Sequence, residues 1–187
     1  MRLFVALEIP SEVRQNLVTL LVSLRAVTKE PRWVRPENLH VTLKFLGEVA
    51  EAKVDAVRSA LAVIRSDDAV ALEFRGLGFF PNEKQPRVLW AGMEASTNLK
   101  TLAGDIEGAM EKLGIPCEKR EFSPHLTLAR FEHPRLPAAV RKLIADNQQR
   151  EFGSLQTKEF HLIQSKLKPS GAEYTTLASF RFAPGAE

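Results

Sequence analysis

Two short segments constrain the fold of this chain more than anything else in it, because each alternates as a strand does and each carries the same pattern, His-x-Thr-Leu. Residues 39–47 read LHVTLKFLG and residues 122–131 read FSPHLTLARF. The matches are His40-Val41-Thr42-Leu43 and His125-Leu126-Thr127-Leu128, 85 residues apart. At average residue usage one such match arises by chance in roughly a few of every hundred chains of this length, so a pair on two predicted strands is no accident. Strand alternation places His40 and Thr42 on one face and Leu39, Val41, Leu43 and Phe45 on the other. His125 and Thr127 stand in the same relation to Leu126 and Leu128. By the same alternation Lys44 shares the His40 face, and Arg130, five residues after His125, falls opposite it.

Strands are predicted at 2–9, 39–47, 69–75, 87–94, 122–131, 157–166 and 173–182, with Gly76 to Pro86 as a turn-rich connection. Helices are predicted at 11–28 with Ser11 as cap, 51–65, 97–113 ended by Gly114, and 137–148 opened by Pro137. A Pro169-Ser170-Gly171 turn joins the last two strands. Helix, histidine strand and helix occur twice in this order. The expected fold is α+β and bilobal, with two pseudo-symmetric lobes of antiparallel sheet plus helices around a central cleft. No linker or low-complexity stretch interrupts residues 1–187, which are read as a single domain of two intertwined lobes, one histidine motif in each.

Composition removes several classes. Apolar residues make up 44% and charged residues 26%, as in an ordinary globular protein. No apolar run reaches the roughly 20 residues of a spanning helix, and the opening MRLFVALEIPSE does not resemble a secretion signal, so a cytoplasmic setting is expected. A single cysteine, Cys117, rules out an internal disulfide and a multi-cysteine zinc site. It follows a helix stop, and it reads as structural or incidental rather than nucleophilic. The net charge of +3 agrees with a phosphate-bearing ligand, but no long Lys/Arg block exists to grip a duplex.

Two imidazoles suit phosphodiester hydrolysis, in which water loses a proton as the departing alkoxide gains one. The threonine hydroxyls would donate to the non-bridging oxygens. His40 and His125 are therefore the candidate catalytic residues, and Thr42 and Thr127 candidate substrate contacts. A metal site is not expected, since neither histidine has a carboxylate or cysteine at ligand spacing. Arg130 can reach phosphate or stack on a base if its strand bulges or ends there; otherwise it is a surface ion pair. Lys44 either meets a flanking RNA phosphate or is a solvated strand-end lysine. Phe4 either stacks on a nucleobase or packs in the core. Trp33 and Trp90 read as packing residues, Tyr174 as a hairpin residue or part of a cleft rim, and His133 and His161 receive no role.

At these motifs the chain resembles the two-histidine phosphoesterase superfamily, and more closely its RNA 2′,3′-cyclic phosphodiesterase branch, also known as RNA 2′-5′ ligases. The resemblance extends over Arg2 to Ala6, Trp33 to Gly47, Pro86 to Gly92, Phe122 to Arg130 and Ser165 to Tyr174. It implies hydrolysis of 2′,3′-cyclic phosphate ends of RNA or nucleotides to 2′-phosphomonoesters, without metal or other cofactor. It also implies, in some members, reversible 2′-5′ joining of tRNA halves. By the same analogy His125 is the base for water and His40 the acid for the leaving oxygen. The expected partners are RNA ends bearing a cyclic phosphate or small cyclic nucleotides, with no membrane and no obligate protein partner, and the chain is expected to be a monomer. Two other readings remain: a phosphodiesterase for other substrates such as 2′-5′ oligonucleotides, and a non-catalytic nucleotide- or RNA-binding module.

Overall fold

In the computed structural model, residues 1–133, 135–169 and 171–183 are described. Ser170, in the expected hairpin turn, lies outside the described residues. The elements run β1 (Arg2–Glu8), α1 (Ser11–Val27), β2 (Arg32–Trp33), β3 (His40–Glu48), α2 (Val54–Ala62), β4 (Val70–Phe80), β5 (Val88–Ala95), α3 (Asn98–Glu111), β6 (Leu126–Arg130), α4 (Ala138–Asp146), β7 (Glu151–Thr157), β8 (Glu159–Lys168) and β9 (Gly171–Arg181). They form two antiparallel sheets, one in the order β3-β1-β8-β9 and the other β2-β6-β5-β4-β7. This is the mixed, two-sheet architecture that the sequence predicts.

β1 is central to the first sheet because Leu3 to Leu7 is an unbroken apolar run, buried on both faces. α1 buries Val13, Leu17, Leu20, Leu21 and Leu24 along one stripe, at about 1.5–3 kcal/mol for each Val or Leu fully withdrawn from water. Ser11 does not cap it. Pro10 takes that position, Ser11 is already helical, and no side chain caps the first turn. The helices do not stay with the strands that precede them. α1 leaves β1 of the first sheet and packs against β7 and α4 of the second, while α3 lies on β3 of the first sheet and also touches β4 of the second. One apolar cluster consequently joins Val5 and Val41 of the first sheet to Phe74, Leu128 and Phe152 of the second.

Two further sequence readings are corrected. The segment 76–80 is strand rather than turn, because Phe79 and Leu77 continue to pair with Leu89 and Ala91. β7 is absent from the sequence reading. Its only fully buried residue is Phe152, and Gly153 at φ +117° interrupts any period-two pattern. No helix among the described residues is long and apolar enough to cross a membrane.

Candidate active site

The two histidine strands meet at the seam between the sheets, where β3 and β6 approach each other. In each, a β-bulge sets which residues face outward. Opposed residues of an antiparallel pair point to the same side. On β6, Thr127 opposes Trp90, Ala129 opposes Leu89 and Arg130 opposes Val88, so two steps on β6 match one on β5. Leu128 and Ala129 therefore both turn inward, each 0% exposed, and Arg130 returns to the Thr127 face. The bulge brings Arg130 round to the side of the histidine motif, in place of the opposite face that strict alternation gives it.

β3 does the same at the equivalent position. Thr42 opposes Ala6, Lys44 opposes Val5 and Phe45 opposes Phe4. Leu43 and Lys44 point inward together, and Phe45 joins His40 and Thr42 on the outer face. Lys44 is thus neither on the His40 face nor solvated: it is 1% exposed. Phe45, placed inward by alternation, is 51% exposed. Phe45 occupies in one half the place that Arg130 occupies in the other, 85 residues on.

Both imidazoles are held by the same local device. His40 Nδ1 lies 2.6 Å from the Asn38 carbonyl oxygen, and His125 Nδ1 lies 2.9 Å from that of Ser123, in each case two residues back. A carbonyl accepts only, so Nδ1 carries a proton and donates it, and in the neutral form of either ring Nε2 keeps its lone pair. His40 Nε2 stands 3.0 Å from Thr42 Oγ1, whose hydroxyl donates to it.

The surroundings of the two rings differ. His40 is packed against Phe4, with ring centroids 4.7 Å apart, and against Tyr174 at 5.3 Å, edge-on. Burial pulls its pKa from 6.5 down to about 4, against the opposing effect of the Asn38 carbonyl. His40 is thus neutral near pH 7. His125 has Phe80 edge-on at 5.1 Å and is only half-buried. Phe80 leans in turn on Trp90 at 5.4 Å. Trp90 lies flat over Gly78, where an added Cβ would come within 2.2 Å of the indole.

Phe4 is buried at 2% exposure, and its ring backs His40 rather than standing open to a base. The open aromatic surface belongs to Phe45 and Tyr174, which with Arg2, Phe4 and Ser165 line a recess of about 140 Å³ beside His40. The sequence reading missed Phe45 and Phe80: the apolar pair Leu128-Ala129 hints at a bulge on β6, but Lys44 hides the equivalent one on β3, and no pattern marks Phe80. Arg130 is exposed and has no carboxylate partner among the described residues. Its guanidinium acts across the seam on Tyr174, whose phenol is pushed up by burial and drawn the other way by Arg130 and Arg2. His161 is buried on β8, Nδ1 2.9 Å from Ser179 Oγ, and Cys117 is exposed.

The chain is similar to several known proteins. The family model of the LigT-like phosphoesterases matches residues 7–90 and 93–174. The RNA 2′,3′-cyclic phosphodiesterase of Archaeoglobus fulgidus is 36% identical over 96% of this chain and 99% of its own. That of Thermus thermophilus is also 36% identical, over 96% and 89%. Among solved structures, the protein TT0787 of Thermus thermophilus superposes with a TM-score of 0.82 at 33% identity, covering 97% of this chain and 98% of that one. Escherichia coli LigT complexed with 3′-AMP does so with a TM-score of 0.76 at 28% identity, covering 97% of each.

Proposed function

The chain belongs to the LigT-like phosphoesterase family, and from that premise we propose that it opens the 2′,3′-cyclic phosphate at an RNA end, or on a small nucleotide, to a 2′-phosphomonoester. The observation that carries this reading is the matched anchoring of two imidazoles. Each spends its Nδ1 proton on a carbonyl two residues back, and each has a threonine two residues on.

In the proposed reaction His125 takes a proton from water as its oxygen bonds to phosphorus, and His40 gives a proton to O3′ as the P–O3′ bond breaks. With its pKa lowered to about 4, His40 is neutral near pH 7 and must gain its proton as the substrate binds. An anionic phosphate beside the ring favours that charged form and opposes the effect of burial. Thr42 and Thr127 donate to the non-bridging oxygens, and Arg130 pairs with the phosphate charge. Phe45 and Tyr174 offer the base an aromatic surface. With an RNA 5′-hydroxyl in place of water, the same proton movements leave a 2′-5′ linkage. The reaction proposed uses side chains alone and one copy of the chain.

The test is turnover of 2′,3′-cyclic nucleotides in EDTA with identification of the product. The expected product is the 2′-phosphate, with His40→Ala and His125→Ala each lowering kcat by about 10²-fold or more. A strict requirement for added metal would remove the mechanism, and binding without turnover would make the chain a nucleotide-binding module.

A further inference from the structure

The inward turn of Lys44 at the β3 bulge leads to a residue that the proposed reaction does not use. Its side chain is 0% exposed, yet it carries a charge. Nζ donates to Glu107 Oε1 on α3 at 2.7 Å and to the Pro116 carbonyl at 3.0 Å. The same Glu107 oxygen accepts the Glu118 backbone N–H at 2.6 Å. Burial raises the Glu107 carboxyl, but Lys44 and the Glu118 N–H outweigh it and hold the group below its usual range.

These contacts bear on His125. From Ile115 to His125 the chain has neither helix nor strand. Among the described residues, the backbone of 116–125 bonds to the rest of the protein at two groups, the Pro116 carbonyl and the Glu118 N–H. Lys44 holds the first, and Glu107, itself paired to Lys44, holds the second. Lys44 is two residues from Thr42, on the strand of the other histidine. At the corresponding position of β6 stands Ala129, so the tie exists in one half only.

We propose that Lys44 is a positioning residue: its ammonium, through Glu107 and Pro116, fixes the irregular segment that delivers His125 and so sets that ring against His40. This rests on the cyclic phosphodiesterase reading. A displacement of about 1 Å in such a pair costs on the order of 10²-fold in rate. Lys44→Met removes the tie and leaves the Glu107 carboxylate with only the Glu118 N–H and no cation, whereas Lys44→Met/Glu107→Leu removes both groups and with them the unpaired charge.

The experiment measures melting temperature, kcat and KM for a 2′,3′-cyclic nucleotide, and the His125 ring resonances by NMR in the wild type and both variants. The expected result is a fall in kcat of about 10- to 100-fold in Lys44→Met with little change in KM. The double variant recovers melting temperature but not kcat, and in both the His125 resonances move while those of His40 do not. Recovery of kcat together with melting temperature, or unmoved His125 resonances, would overturn the proposal. If the wild type opened no cyclic phosphate the reading it rests on would fail, and the His125 resonances would still decide this one.

Discussion

His40 carries a large electrostatic consequence for a single residue. A neutral imidazole packed against Phe4 and Tyr174 costs nothing above its ordinary pKa but resists protonation below it. In the unfolded chain it takes a proton near pH 6.5, and in the folded chain only near pH 4, because burial disfavours the charged form. Protons therefore favour unfolding across that window. Stability from this group is complete above about pH 6.5 and is lost as pH falls towards 4, by about 3 kcal/mol in all. Urea unfolding at pH 7 and pH 4.5 checks this: the wild type should lose more stability between the two than His40→Gln. Equal losses would show that the ring is not desolvated. At this scale the histidines and threonines were legible as candidates, since a repeated His-x-Thr-Leu pattern needs no geometry to be noticed. The sequence reading misplaced Lys44 and Phe45 because alternation holds only while the ladder keeps register, and it left Arg130 to depend on a bulge, which β6 has.

The strands and helices were legible wherever an apolar stripe repeats, as in α1 and β1, and illegible where a strand is held by its neighbours. β7 exists because β4 offers it a partner from Val70 to Arg75 and because Phe152 enters the core. Its own sequence, EFGSLQT, carries no period. The close packing of β4 on β5 supplies a prediction. Gly78 lies beneath Trp90, and a methyl there would meet ring atoms Cζ2 and Cη2 at 2.2 and 2.3 Å. Trp90 also packs against Phe80, which stands edge-on to His125, so a displaced indole pushes toward that ring. Gly78→Ala should cost about 1–3 kcal/mol and lower kcat/KM, read by thermal melting and steady-state kinetics. An unchanged melting temperature would mean that the indole is free to shift.

At the scale of the whole molecule, the crossing of α1 to the second sheet and the bridging position of α3 leave no line along which the lobes separate. The apolar cluster runs through both sheets. We propose accordingly that residues 1–187 form a single folding unit. Calorimetry should give one transition whose van't Hoff and calorimetric enthalpies agree, and two resolved transitions would contradict it. The two-lobed α+β architecture was legible from the order of elements, but the exchange of helices between lobes was not, because periodicity reports that a face is buried and not against which sheet. The central claim is that both imidazoles address one phosphorus atom. A crystal structure with a nucleoside 2′-phosphate bound tests it most directly. Nε2 of His40 and Nε2 of His125 should each lie within hydrogen-bonding reach, roughly 2.6–3.2 Å, of oxygens on the same phosphate. A phosphate held by one ring, with the other turned away beyond contact, would contradict the account.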